Sequence, residues 1–356
     1  MTIYVEVPNL GFGPAVTALR ALARIPAEDV HVLATGDSAR FLQRERPAYT
    51  WHDADTLWPQ GCAGLLPPGS LVVSVTNPEF AAWAVEQGHE VGVVDVLDWM
   101  WPLARPAALP DPARLRFHLV EAGFARPRHG EPVAPLIDHE LWSEPAQPRS
   151  GLAVVAFGGM AMPGGADHVG AFARSFLFTA LPVLVEAGLA HVVVVGGSRD
   201  LVDLVPPRWR AHPAVEVRAA VPPAEYAALL RSARHVLIPA GMSTLHECAA
   251  ARITPFVQPG CTISTVLATE RLSARSYPYV CRWPGQSAAL APVLGRPEPE
   301  LIERAAELVA AGAPHLADEL RRYLVRVEGP ALLPMSWDGL PTAADRLAHH
   351  VLTRRP

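Results

Sequence analysis

The sequence predicts an α/β protein made of two Rossmann-like halves of similar size, each a parallel sheet covered by helices. Three observations predict it. The chain has 356 residues, more than a single core of roughly 250–300 residues accommodates. Short apolar, β-branched runs alternate with helical stretches, the pattern of strands buried on both faces by crossover helices. Between residues 138 and 150 a stretch carrying Pro145, Pro148 and charged side chains interrupts the series, as a linker does.

In the first half, residues 3–7 read as a strand, followed by a glycine turn (Gly11, Gly13) and a helix near residues 15–23. Residues 30–34, 71–75 and 91–95 read as further strands, and Asn77 and Pro78 open a helix that runs to about Gln87. Residues 101–112 are Pro-rich and irregular, and residues 133–137 form a last short strand. In the second half the strands are residues 152–157, 191–195, 215–218, 235–239 and 254–257. Helices fall at residues 224–232, 243–251 and 300–311. A final helix near residues 342–353 is expected to return to the first domain. The resulting domains are residues 1–140, 151–340 and a terminal helix in 341–356, and the halves share no obvious repeat.

Composition narrows the function. Hydrophobic residues are 50% and charged residues 18%, which argues against disorder. A formal charge of −5 argues against nucleic acid as a partner, because backbone binding needs a clustered cationic face. There is no lysine, which excludes a Schiff-base lysine and the lysine of a Walker A loop. Cys62, Cys248, Cys261 and Cys281 are scattered, so neither a disulfide framework nor a structural zinc is expected, and a reducing cytoplasm is the natural compartment. The amino terminus reads as a strand rather than a signal peptide. No apolar run reaches the ~20 residues of a transmembrane helix. A soluble chain is expected, and peripheral contact with a membrane surface stays compatible with the composition.

The most informative stretch is residues 235–258, HVLIPAGMSTLHECAAARITPFVQ. It reads as buried strand, glycine turn, helix and second buried strand. The turn falls at a strand's carboxyl end, where open α/β sheets bind ligands. Met242, Ser243 and Thr244 start the helix, so their free N–H groups point outward together and attract anions. Gly241 is expected to permit the sharp turn, and the hydroxyls of Ser243 and Thr244 to cap the helix or donate to a phosphate. Glu247 lies one turn on, on the same face. There it can accept hydrogen bonds from a vicinal diol such as a ribose. An anion cradle with a diol acceptor describes a nucleoside diphosphate site; the bland alternative is a capped helix with a surface glutamate.

Gly-x-Ser-Thr-x-x-Glu between two such strands resembles the donor-site motif of nucleotide-sugar glycosyltransferases of GT-B type. The comparisons are the peptidoglycan N-acetylglucosaminyltransferase and the plant-type and antibiotic-modifying UDP-glycosyltransferases. The resemblance implies two Rossmann-like domains with parallel sheets facing an interdomain cleft. It implies a glycosyltransferase that moves a sugar from an NDP-sugar, UDP-linked in the families compared, to a small-molecule acceptor. In it Glu247 matches the ribose contact, and Ser243 and Thr244 at the helix amino end match the diphosphate contact. Gln258 stands near a position that reads sugar hydroxyls. Pro239 departs from the His or Arg often found two residues before the glycine, and Arg199 is the candidate replacement for that charge. Gly158, Gly159 and Gly197 end strands where the resemblance puts loops facing the phosphates, though each also suits an ordinary tight turn. Gly11, Phe12 and Gly13 fall where the fold places an acceptor loop. Residues 94–101, VDVLDWMW, resemble a segment of actinomycete transferases of nucleoside-antibiotic pathways, the cytosylglucuronate synthases being the nearest.

Transfer needs a base within reach of the acceptor and help for the departing diphosphate. Retaining enzymes of this fold often show two glutamates eight positions apart, and here Pro255 stands at that spacing from Glu247, which favours inversion. The histidine that many members keep after the first strand is missing. Asp98 is the candidate base and Asp95 its orienting partner or an acceptor contact; the alternative for Asp95 is a cap on the following turn. Trp99, with Trp101, is either an apolar platform for an acceptor ring or packing. His118, His129, His139 and His168 share no ligand spacing, and neither a metal nor a cofactor beyond the nucleotide-sugar cosubstrate is expected. Two further readings are a nucleotide-sugar 2-epimerase of the same fold and a binding subunit that needs a partner. An NAD-dependent dehydrogenase is disfavoured, since Gly11-Phe12-Gly13-Pro14 lacks the third glycine of that fingerprint.

Overall fold

The computed structural model describes residues 2–104, 110–124, 127, 129–144, 147, 149–159, 166–196, 201–219, 221–282, 285–325 and 332–353. The chain divides into two compact units, Met1–Ile137 with Met335–Pro356, and Asp138–Pro334.

Among the described residues the first unit holds seven strands: β1 (Ile3–Glu6), β2 (Val30–Ala34), β3 (Thr50–Asp53), β4 (Leu71–Val75), β5 (Glu90–Asp95), β6 (Phe117–Glu121) and β7 (Glu131–Val133). They pair in the order β3-β2-β1-β4-β5-β6-β7, every pair parallel. Strand alternation sorts their side chains between two layers. Ile3, Val5, Val30, Val32, Val73 and Val75 face one core, shared with the Gly13–Ala21 helix. Tyr4, Leu33, Val72, Val91 and Val93 face another, closed by the Pro78–Glu86 helix through Phe80, Ala81 and Ala84. The Ala343–Leu352 helix belongs to this unit; Ala343, Leu347 and Val351, spaced by four, bury one stripe in the first core.

Three strands depart from expectation. β3 and β6 carry His52, Asp53, His118 and Glu121, which interrupt the apolar run that marks a buried strand. The last strand is Glu131–Val133 rather than residues 133–137. Part of the Pro-rich interval is helical, Trp101–Ala104, and residues 105–109 lie outside the described residues.

The second unit holds β8 (Arg149–Phe157), β9 (His191–Gly196), β10 (Val215–Ala219), β11 (Ala233–Ile238) and β12 (Phe256–Val257), in the order β10-β9-β8-β11-β12 and all parallel. The expected linker is part of this unit. Asp138 caps the His139–Trp142 turn by accepting from Leu141 N–H at 3.1 Å. Trp142 is buried edge-on to Tyr226, and Arg231 holds the Leu141 carbonyl and Glu144. An aromatic anchor therefore makes the segment structure rather than spacer. The Ala166–Glu186 helix contains an 18-residue window, Val169–Glu186, long and apolar enough to cross a bilayer. Phe172, Phe176, Leu177, Leu181 and Leu184 from it form the centre of the second core. The four cysteines are free.

Candidate functional site

In the second unit the strand-turn-helix stretch forms at the carboxyl edge of the sheet. β11 ends at Ile238, and the Met242–Ala250 helix begins with Gly241 as its N-cap. Gly241 has no side chain with which to cap the helix, and the first turn carries no acidic residue. The amino end of the helix thus keeps its partial positive charge without an internal carboxylate. Ser243, Thr244 and Glu247 are half-buried along one side, while Leu245, His246 and Cys248 are buried. The sequence reading assigned Gly241 to a sharp turn. Its φ of −76° and ψ of 137° are open to any residue, and a Cβ there would meet no atom within 4 Å. Gly158, exposed just past β8, has the same empty surroundings. Neither conformation nor protein packing requires these two glycines, and each leaves bare backbone on the sheet edge.

Tyr226, from the Pro223–Ser232 helix, completes this corner and was not foreseen. Burial pushes its phenol well above the usual value, with the Glu247 charge adding, while a hydrogen bond to Thr244 opposes the shift. The signal for it was a tyrosine in the first turn of a helix following a strand, which marks many core residues equally well. Gln258 differs from its expected role. It is fully buried, and its Nε2 donates to the carbonyls of Ala156 at 2.8 Å and Leu237 at 3.2 Å. Its amide nitrogen is spent on strand backbone rather than presented to a sugar. Gly159 is half-buried beside Gly158. Gly197 and Arg199 lie outside the described residues.

The carboxyl edge of the first unit is acidic and interlocked. Register puts Glu6 beside Ser74, Ser74 beside Val93, and Val93 beside His118, one row on one face with Asp95 a step further along. Glu6 accepts from Ser74 Oγ at 2.8 Å and Asn77 Nδ2 at 2.9 Å, and burial pushes its carboxyl up to about 7. Between those partners Thr76 holds a φ of 54°, an uncommon position for a β-branched residue. Asp95 accepts from Leu97 N–H at 2.7 Å and Trp101 Nε1 at 2.8 Å, so it caps the following turn. That turn carries Asp98, which is buried. Trp99 is also buried and packs against Phe124 at 5.0 Å, which makes it core packing rather than an open platform.

Two residues of this edge were missed. His118 stands 3.8 Å from Asp95, and Asp95, Asp98 and His118 offer ligand atoms within 4.8 Å of one another. Strand pairing makes that grouping, which sequence spacing conceals; two carboxylates and an imidazole suit either a shared proton or a small cation. Glu121 ends β6 and accepts from Leu136 N–H at 2.8 Å; burial, with the Asp95 charge adding, pushes it up to about 8. Its signal was an acid closing an apolar run, the same cue that flagged Asp95. In the loop after β1, Asn9 Oδ1 accepts from Asp37 and Ser38 N–H, and Ser38 Oγ donates to the Gly11 carbonyl at 3.3 Å. Gly11 has a φ of 66°, Phe12 packs on Phe41 at 5.5 Å, and Gly13 is exposed.

No protein-family model matches the chain, and no curated protein matches it in sequence. Among solved structures it is similar to CalG4, the calicheamicin glycosyltransferase, at 16% identity and a TM-score of 0.52, covering 100% of both chains. Phytolacca americana UGT2, solved with UDP-2fluoro-glucose and pterostilbene, matches at 12% identity and a TM-score of 0.49, covering 94% of this chain and 97% of that one. A Polygonum tinctorium UDP-glucosyltransferase capable of glucosylating indoxyl matches at 12% identity and 0.45, over 91% and 98%. The full-length match to CalG4, with two parallel-sheet units, defines the fold as GT-B.

Proposed function

We propose that this chain is a glycosyltransferase that moves a sugar from a nucleoside-diphosphate sugar, UDP-linked, to a small natural-product or nucleoside acceptor with inversion. The observation that carries the reading is the Met242–Ala250 helix. Its amino end lacks a side-chain cap at a sheet's carboxyl edge, bare backbone flanks it at Gly158 and Gly241, and Glu247 stands one turn behind. Helix N–H groups suit a diphosphate, and they can stabilise the charge that develops on the leaving group. The glutamate suits a ribose diol. The substrate class is taken from the calicheamicin enzyme that shares the fold.

Asp98 serves as the base in this proposal. Asp95 acts through its bonds to Leu97 and Trp101, fixing the turn that bears Asp98. The donor and acceptor are cosubstrates, and no resident cofactor is invoked; the compartment proposed is the cytoplasm. A thermal-shift screen of nucleoside diphosphates tests the reading, with UDP at 100 times its Kd expected to stabilise by about 2.7 kcal/mol. If no diphosphate moves the melting midpoint, the donor site is refuted.

Burial of both Asp95 and Asp98 favours one competing reading, a nucleotide-sugar-binding subunit without its own turnover. Release of UDP from UDP-sugar on adding acceptor would exclude it. Turnover of UDP-GlcNAc with no acceptor present would instead identify an epimerase.

A further inference from the structure

A proline stands where a ladder donor belongs in the second sheet. Gln258 N–H donates to the Ile238 carbonyl, so the polar groups of Ile238 face β12. Successive residues of a strand turn their N–H and C=O to opposite sides, so those of Leu237 and position 239 face β8. Leu237 pairs with Val155 in that parallel register. The Ala156 carbonyl would therefore receive the N–H of residue 239. Residue 239 is proline and has none. A buried strand carbonyl left without a donor is costly, and central strands rarely tolerate the substitution.

Gln258 fills the gap. Its Nε2 reaches across the end of β11 to the Ala156 carbonyl at 2.8 Å and, with its second hydrogen, to Leu237 O at 3.2 Å. The reverse amide orientation would set Oε1 against two carbonyls, so the contacts fix which way the amide faces. The side chain is fully buried. Gly158 lies two residues beyond Ala156, and Gly241 two beyond Pro239. We infer that Gln258 is a positioning residue whose side-chain amide replaces the N–H that Pro239 lacks, holding β8 to β11 where the Gly158 and Gly241 loops leave the sheet. Its effect on ligand binding rests on the function proposed above; its effect on the sheet does not.

A double-mutant cycle tests it. Gln258→Leu should lower the melting midpoint by about 3–10 °C and raise the Kd for UDP about tenfold. Pro239→Ala restores a backbone donor and should change little alone. In the double variant the midpoint should return to within about 2 °C of Pro239→Ala. The new amide at position 239 should also be protected from hydrogen exchange. A double variant whose loss equals the sum of the singles, or a freely exchanging amide at 239, overturns the inference. If Gln258→Leu gives no folded protein, a folded double variant supports the inference and an unfolded one overturns it. Thermal rescue without UDP binding by any variant, wild type included, would leave the clamp standing and remove the nucleotide reading.

Discussion

The two sheet edges make opposite surfaces from the same topology. Both sheets are parallel throughout, so all strand ends of a unit gather on one side. In the first unit that side is crowded with side chains: Ser74 and Asn77 donate to Glu6, Trp101 donates to Asp95, and Glu121 and His118 lie near Asp95. Among the described residues of the second it is glycine and helix end beside β8 and β11, with Glu247 set back a turn. An acidic edge repels a diphosphate and suits proton chemistry. An edge of bare N–H groups attracts one. The contrast teaches that parallel strand ends supply only the location, and a few residues past each strand decide the chemistry.

Mutations can break or sharpen this division. The largest effect is expected from Asp98→Asn, which should lower turnover by about 10²–10⁴-fold and leave the Kd for UDP within twofold. Wild-type turnover would remove Asp98 as base. Glu247→Ala should do the reverse, weakening UDP binding about 10–100-fold by calorimetry. Leu347→Ala opens a cavity in the first core and should cost about 2–4 kcal/mol in denaturant unfolding, with UDP affinity untouched.

The smallest effect is a pH dependence seated in the acidic edge. Glu6 at about 7 and Glu121 at about 8 are raised above their unfolded value of 4.5. The folded chain therefore keeps protons that the unfolded chain has released. That contribution is fully present below about pH 4.5 and is lost as pH rises through 7 and 8. The melting midpoint should fall by several degrees between pH 5 and pH 9, and Glu121→Gln should flatten part of that slope. A profile equally steep in the variant would assign it elsewhere.

Most of the fold was legible because its strands are apolar on both faces, and such runs stand out between helices. β3 and β6 were not, since His52, Asp53, His118 and Glu121 spoil the run, and the partners of His52 and Glu121 come to them only on folding. The Met242–Ala250 helix could be read from its local order of strand, glycine, hydroxyls and glutamate. The acidic edge was half legible: Asp95 and Asp98 share a segment, whereas His118 joins them through strand register. Gln258 was misassigned because its partner defect, the missing N–H of Pro239, lies 19 residues away in sequence and becomes apparent only with the ladder.

The first unit is interrupted: its closing stripe, Ala343, Leu347 and Val351, follows the whole of the second in sequence. On the ribosome the second unit emerges intact and can finish folding early. Until the Ala343–Leu352 helix emerges, the surfaces it packs on, the Gly13–Ala21 helix and β6 with Phe117, stay uncovered, and a nascent chain stopped at residue 340 would expose them to chaperones.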